Sequence, residues 1–168
     1  FSTNLEHIGD IIDKSLMELA MKKIRNQDNF SRQGFGEISA LHARVMDSMA
    51  LAQNVFMTGD VKMARQLFEE KAVLRNQEMM ASESHFKRLR EGVAETLATS
   101  SLHLDILRDF RRINSYISLI AYPILEEAKE LKPTRLKPQG EKSKRRPRRR
   151  RKPEAAPAAK LPDSEEKS

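Results

Sequence analysis

The sequence predicts an all-α protein: an antiparallel up-and-down bundle of four long helices, followed by a disordered basic tail. Three observations predict it. Apolar residues recur at steps of three and four through most of residues 1–131, the period of a helix face. Two short turn clusters, Asn26-Gln27-Asp28-Asn29 and Thr58-Gly59-Asp60, punctuate that pattern, and short connections make neighbouring helices antiparallel. No alternating β-branched run or hairpin dipeptide offers a strand.

The first helix is expected to reach about Asn26, with Leu5, Ile8, Ile12, Leu16 and Leu19 on one apolar face. Ser31 can cap the second, placed at about 31–57, whose seam reads Ile38, His42, Val45, Met49, Ala52, Phe56 at heptad steps. A lone seam histidine such as His42 is more often a core residue than a ligand. Gly59 suits a left-handed cap and Asp60 an N-cap for the third helix. That helix is expected to run to about Arg90, with Val61, Ala64, Phe68, Ala72 and Met79 inward. Glu91-Gly92-Val93 ends it. Thr96, Thr99 or Ser100 can cap the last helix, which continues to about Leu131, with Pro123 kinking it. Its stripe is Leu102, Ile106, Phe110, Ile113, Ile117, Ile120, Ile124.

Charge divides the chain. Residues 1–131 hold 17 Lys+Arg against 19 Asp+Glu, and residues 132–168 hold 14 against 5, so the overall +7 splits into −2 and +9. Two domains follow: a bundle over 1–131 and a tail over 132–168. In the tail, cations alternate with prolines around Arg148-Arg149-Arg150-Arg151, and no apolar periodicity offsets the ordering entropy. Such a tail is attracted to an anionic membrane surface. It would attract nucleic acid without specificity, and it holds no aromatic residue for base stacking. The absence of Cys excludes disulfides and thiolate metal sites. The longest apolar stretch, near Tyr116–Leu125, falls far short of the ~20 residues that span a bilayer. The chain begins at Phe1 on the first helix and is read as a fragment of a longer protein.

Carboxylates carry the candidate chemistry. Glu6, Asp10 and Asp13 lie on one line of the first helix, within about 60° of each other. Clustered oxygens suit a hard cation, and a facing helix would supply the rest of a bundle site. A solvated acidic face is the competing reading. The same line continues into Met17 and Ile24, which favours a face looking into the bundle. On the last helix Asp109 lies about 45° and Asp105 about 80° from the middle of the apolar stripe. A carboxylate there needs a partner: an ion pair with Arg108, Arg111 or Arg112, or a bound cation.

Leu5-Glu6-His7-Ile8-Gly9-Asp10 closely resembles the "LERIGD" signature of PhoU domains, helical regulators of bacterial phosphate uptake. The run Thr99–Ile117 followed by Ala121–Glu126 is similar to the PhoU-like domain that follows the membrane part of bacterial sodium/phosphate cotransporters. The likeness covers residues 1 to about 130. It implies helices three to six of a six-helix pattern, with two E/D-x-x-x-D motifs that bind divalent or ferric ions. Glu6 and Asp10 match the first motif. In the second, Arg111 and Ser115 stand where acidic residues are usual. Asp105 and Asp109 keep the spacing one to two turns earlier, as a displaced pair of metal ligands or as the remnant of a lost site.

The resemblance implies a non-enzymatic regulatory domain on the cytoplasmic side of a sodium-dependent phosphate cotransporter, partnered by a transmembrane transporter domain. A freestanding PhoU-type adaptor is the alternative. The two differ in whether the reading frame continues upstream into hydrophobic segments of about 20 residues. A di-metal enzyme is disfavoured: there is no Glu-x-x-His pair, and His7, His42, His85 and His103 are scattered. A specific nucleic-acid reader is disfavoured because only the tail is basic. The oligomeric state is open, a homo-oligomer among the options.

Overall fold

The computed structural model describes residues 2–131; Phe1 and the disordered tail expected over 132–168 lie outside the described residues. α1 (Ser2–Asp10) runs through a π turn (Ile11–Leu16) into α2 (Met17–Asn26) without leaving helical backbone angles, so the three make one rod. There follow α3 (Arg32–Thr58), α4 (Val61–Arg90), a single turn and a half as α5 (Ala94–Ala98), α6 (Ser100–Ser118) and α7 (Ala121–Glu127). Among the described residues there is no strand, and no helix is long and apolar enough to cross a membrane.

The boundaries have local causes. The Ser31 hydroxyl accepts the Gly34 N–H at the start of α3, and the Asp60 carboxylate accepts the Met63 N–H at 2.8 Å at the start of α4. Each satisfies one of the orphan donors of a helix N-terminus. Gly59, at φ 63°, closes α3 in the left-handed region, where a side chain would be strained. The last helix breaks at Leu119-Ile120, and Pro123 sits in the first turn of α7, where its missing N–H costs no hydrogen bond.

α3, α4 and α6 pack against one another, α7 extends that packing along α4, and the first rod lies on α6. The core comprises Leu41, Val45, Ala52 and Val55 of α3, Ala64, Leu67, Leu74 and Ala81 of α4, and Leu107, Phe110, Ile113 and Ile117 of α6. Ile8 and Ile11 are the first rod's contribution.

Three seams differ from the sequence expectation. On the first rod, Ile8 and Ile11 are buried, with Ser15 and Leu19 half-buried, while Leu5 and Ile12 are exposed. The π turn adds one residue to the rod, so everything after it is rotated by about one residue step. On α3, Leu41, Ser48 and Val55 are buried, whereas His42 and Phe56 are exposed. On α4 the inward line is Ala64, Leu67, Lys71, Leu74, Glu78, Ala81, His85, Arg88, and Ala72 and Met79 are exposed. That line is an unbroken heptad, but four of its eight members are polar, so counting apolar residues misses it. α6 is covered by three neighbours, which is why His103, Asn114 and Ser118 are buried beside its expected stripe.

A candidate polar seam between the first rod and α6

The π turn sets this seam. It brings Ser15 onto α6, where the Ser15 hydroxyl donates to Asp109 Oδ2 at 2.5 Å. Asp109 is fully buried. Arg112, one turn on, donates from Nη1 to Asp109 Oδ1 at 3.0 Å. A buried carboxylate is tolerated only with such partners, so Asp109 fixes both the rod and the guanidinium. Beside it a cleft of about 260 Å³ opens, lined by His7, Asp10, Ile11, Lys14, Ser15, Arg112 and Tyr116. The His7 ring lies against Tyr116, with centroids 5.0 Å apart. Lys14 Nζ is 2.8 Å from Asp10; that hydrogen bond, and then the carboxylate's charge, raise the pKa of Lys14.

The four carboxylates singled out from the sequence do not meet. Glu6 is exposed. Asp10 is half-exposed and paired with Lys14. Asp105 pairs with its own neighbour Arg108 at 2.9 Å. Asp109 alone is buried, against Ser15 and Arg112. Among the described residues no three His, Asp or Glu side chains come together as a metal donor set. Asp10 and Asp109 each already hold a cation of the chain itself. Asp10, Asp105 and Asp109 are each paired with a cation of the chain and Glu6 is exposed, so no donor set for a divalent or ferric ion is assembled among the described residues. On α6 the ion-pair alternative describes what is seen. Asp13, Met17 and Ile24 are exposed, so in this structure the acidic line faces outward along the rod except at Asp10, which borders the cleft.

Arg112 is among the partners expected for Asp109 from the sequence, and spacing alone could also have named Lys14. Lys14 is four residues from Asp10 and Arg112 three from Asp109, both side-by-side positions on a helix. Ser15 carries no such signal, because its place depends on the π turn.

A second polar cluster lies in the core, joining α3, α4 and α6. Arg88 donates through both terminal nitrogens to the two oxygens of Glu37, each at 2.8 Å, and Nη1 also reaches Ser84 at 2.8 Å. His103 Nε2 stands 3.2 Å from Glu37. The rings of His85 and His103 stack 4.6 Å apart and nearly parallel, and His85 Nε2 meets the Ser100 hydroxyl at 2.9 Å. Gly34 allows the approach: a Cβ there would lie 3.2 Å from the His103 ring. Burial pushes His103 down to about 4, with His85 adding to the shift. Burial followed by the Arg88 charge lowers His85. Burial pushes the Glu37 carboxyl up, but the hydrogen bonds from Arg88 and Ser84 outweigh it and hold the carboxyl below its usual range.

The PhoU domain profile matches residues 38–124, which run from the second turn of α3 into α7 and so take in the three-helix core. The first rod, with Leu5–Asp10, lies outside that match. Proteins named "Putative inorganic phosphate export protein YjbB" are similar to the chain. That of Escherichia coli (strain K12) is 36% identical over 129 residues, 77% of this chain and 24% of its own length. That of Salmonella typhimurium is 37% identical over 124 residues, 74% of this chain and 23% of its own. The chain thus spans about a quarter of the curated relatives it matches. No solved structure matches it. With the profile covering more than half of the sequence, and lying on the helices that form the core, the chain belongs to the PhoU domain family.

Proposed function

We propose that this chain is a non-enzymatic regulatory domain of a phosphate transporter, acting from the cytoplasmic side of the membrane on a transmembrane part that carries the ion. One observation carries the reading: the stretch that matches the PhoU domain coincides with the closed three-helix core. The relatives' printed name, which refers to inorganic phosphate export, supports the phosphate link. Sodium coupling comes from the resemblance of Thr99–Glu126 to the domain that follows cotransporter membrane parts. The tethered version is favoured over a freestanding adaptor because the relatives extend well beyond the matched region. The +9 charge of residues 132–168 suits an anionic bilayer surface next to such a transporter. This reading does not depend on a bound divalent or ferric ion: of the carboxylates that would hold one, Asp10, Asp105 and Asp109 are paired with Lys14, Arg108 and Arg112, and Glu6 is exposed.

The test is phosphate flux in cells that carry the full reading frame, with and without the segment encoding this domain. Deletion is expected to leave transport in place and remove its dependence on cellular phosphate. Flux with an unaltered phosphate dependence would overturn the proposal.

A further inference from the structure

We propose that the cleft between the first rod and α6 binds a small oxyanion of the phosphate class, in the position where the family resemblance implies a cation. Six polar side chains line the cleft: His7, Asp10, Lys14, Ser15, Arg112 and Tyr116. Four of them keep donors for a ligand; the Ser15 hydroxyl proton is given to Asp109 and Asp10 has none. Lys14 and Arg112 bring two cations to the cleft, where Asp10 is the one lining carboxylate and Asp109, behind Arg112, takes one of its N–H groups. Asp109 lies behind the lining and holds Arg112 through Nη1 alone. The rest of that planar fork meets no carboxylate among the described residues. A guanidinium held in place with spare N–H groups, opposite a flexible ammonium, is the pair that recognises tetrahedral oxyanions.

The carboxylate in the cleft is displaceable. Lys14 and Asp10 are both more than half exposed along their side chains, and exposed ion pairs are weak. Asp10 can turn to water and leave Lys14 to the ligand. Glu6 and Asp13, also exposed, add smaller charge effects that favour the protonated Lys14. A dication entering the same space would instead meet the Arg112 guanidinium, held in place by Asp109, and the Lys14 ammonium beside Asp10. The π turn gives a second reason to look here: such turns recur at functional sites, and this one is what places Ser15 and Lys14 beside Arg112. The choice of phosphate as the ligand rests on the proposed function, whereas the preference for an anion rests on the lining itself.

The experiment is calorimetric titration of the purified 168-residue chain with potassium phosphate at constant ionic strength, beside Arg112→Met and Lys14→Met. Both variants keep the basic tail, so the difference isolates the cleft. Saturable binding that weakens at least tenfold in each variant is expected. Lys14 is exposed, so Lys14→Met stays informative if Arg112→Met does not fold. Vesicles containing phosphatidylglycerol, titrated in parallel, separate the sources. Binding of phosphate with no cleft-dependent vesicle binding assigns the free ion. Vesicle binding that needs Arg112, without phosphate binding, assigns a lipid headgroup. Heats that match a potassium chloride control, together with vesicle binding indifferent to both variants, would overturn the proposal. So would stoichiometric manganese binding abolished by Asp10→Asn. Neither result bears on the flux experiment, which reads the domain's role in transport.

Discussion

The molecule carries two charged clusters that join helices, and they are built differently. In the core, Glu37 takes both terminal nitrogens of Arg88 fork to fork, with Ser84, His85 and His103 packed around the pair, and the Arg88 Nε is buried without a hydrogen bond among the described residues. At the seam, Asp109 is equally buried, but its cation Arg112 is half-exposed and faces a cleft. The first arrangement uses all its charge to hold three helices together. The second uses one carboxylate to hold a rod in place and leaves donors pointing at open space. Burial alone does not mark a functional site here. Donors fixed from behind and uncommitted in front do.

The comparison can be broken at the core first. Arg88→Met would strand the Glu37 carboxylate inside the bundle, and loss of one partner of a buried pair costs about 3–5 kcal/mol. Urea unfolding should show it as a large fall in the midpoint. An effect under about 1 kcal/mol would mean that water already reaches the pair.

Acid should attack the same cluster next. Folding holds His85 and His103 below their ordinary values, His103 at about 4, while in the unfolded chain histidine titrates near 6.5. The unfolded state therefore binds more protons between those limits, and stability falls as pH drops from about 6.5 towards 4. One proton taken up on unfolding corresponds to roughly 1 kcal/mol per pH unit. The groups facing the imidazoles are Glu37 from α3, Arg88 and Ser84 from α4, and Ser100 from α6. Glu37, held low, loses stability in the same direction at still lower pH. His103→Gln should flatten the profile; an unchanged slope would place the acid sensitivity elsewhere.

At the seam the expected effects are smaller. Asp109→Ala leaves the Ser15 hydroxyl without its acceptor and frees the guanidinium, at about 1–3 kcal/mol. Its loss should appear as faster exchange in the first rod before the core opens. Lys14→Met should leave the melting temperature where it is, since the side chain is exposed, and still remove the response to phosphate. A lowered melting temperature would show that the Asp10 pair is structural.

Much of the fold was legible in the sequence because its punctuation is local. Ser31, Gly59 and Asp60 act within four residues of themselves, and each sits where it was expected. The family too could be read from short runs. The seams were less legible wherever a polar residue took a core position. His85 and Arg88 are buried because Glu37, Ser84 and Ser100 come from other turns and other helices to meet them. No periodicity within α4 records that. The first rod shows the same limit: once Ile11–Leu16 winds as a π turn, Ile12 turns outward, while Ile11 and Ser15 join Ile8 and Leu16 against the core side. Asp105 and Asp109 are legible in the sequence as carboxylates needing partners, and each pairs with an arginine of its own helix, Arg108 and Arg112. The burial of Asp109 against Ser15 is a property of the packed helices.

Hydrogen exchange of the chain with and without phosphate tests most directly the claim that the uncommitted donors lie at the seam. The account predicts that phosphate slows amide exchange in residues 7–16 and 109–116, with α3 and α4 unchanged near Glu37 and Arg88. Protection confined to the Glu37–Arg88 end, or none anywhere at saturating phosphate, would contradict it.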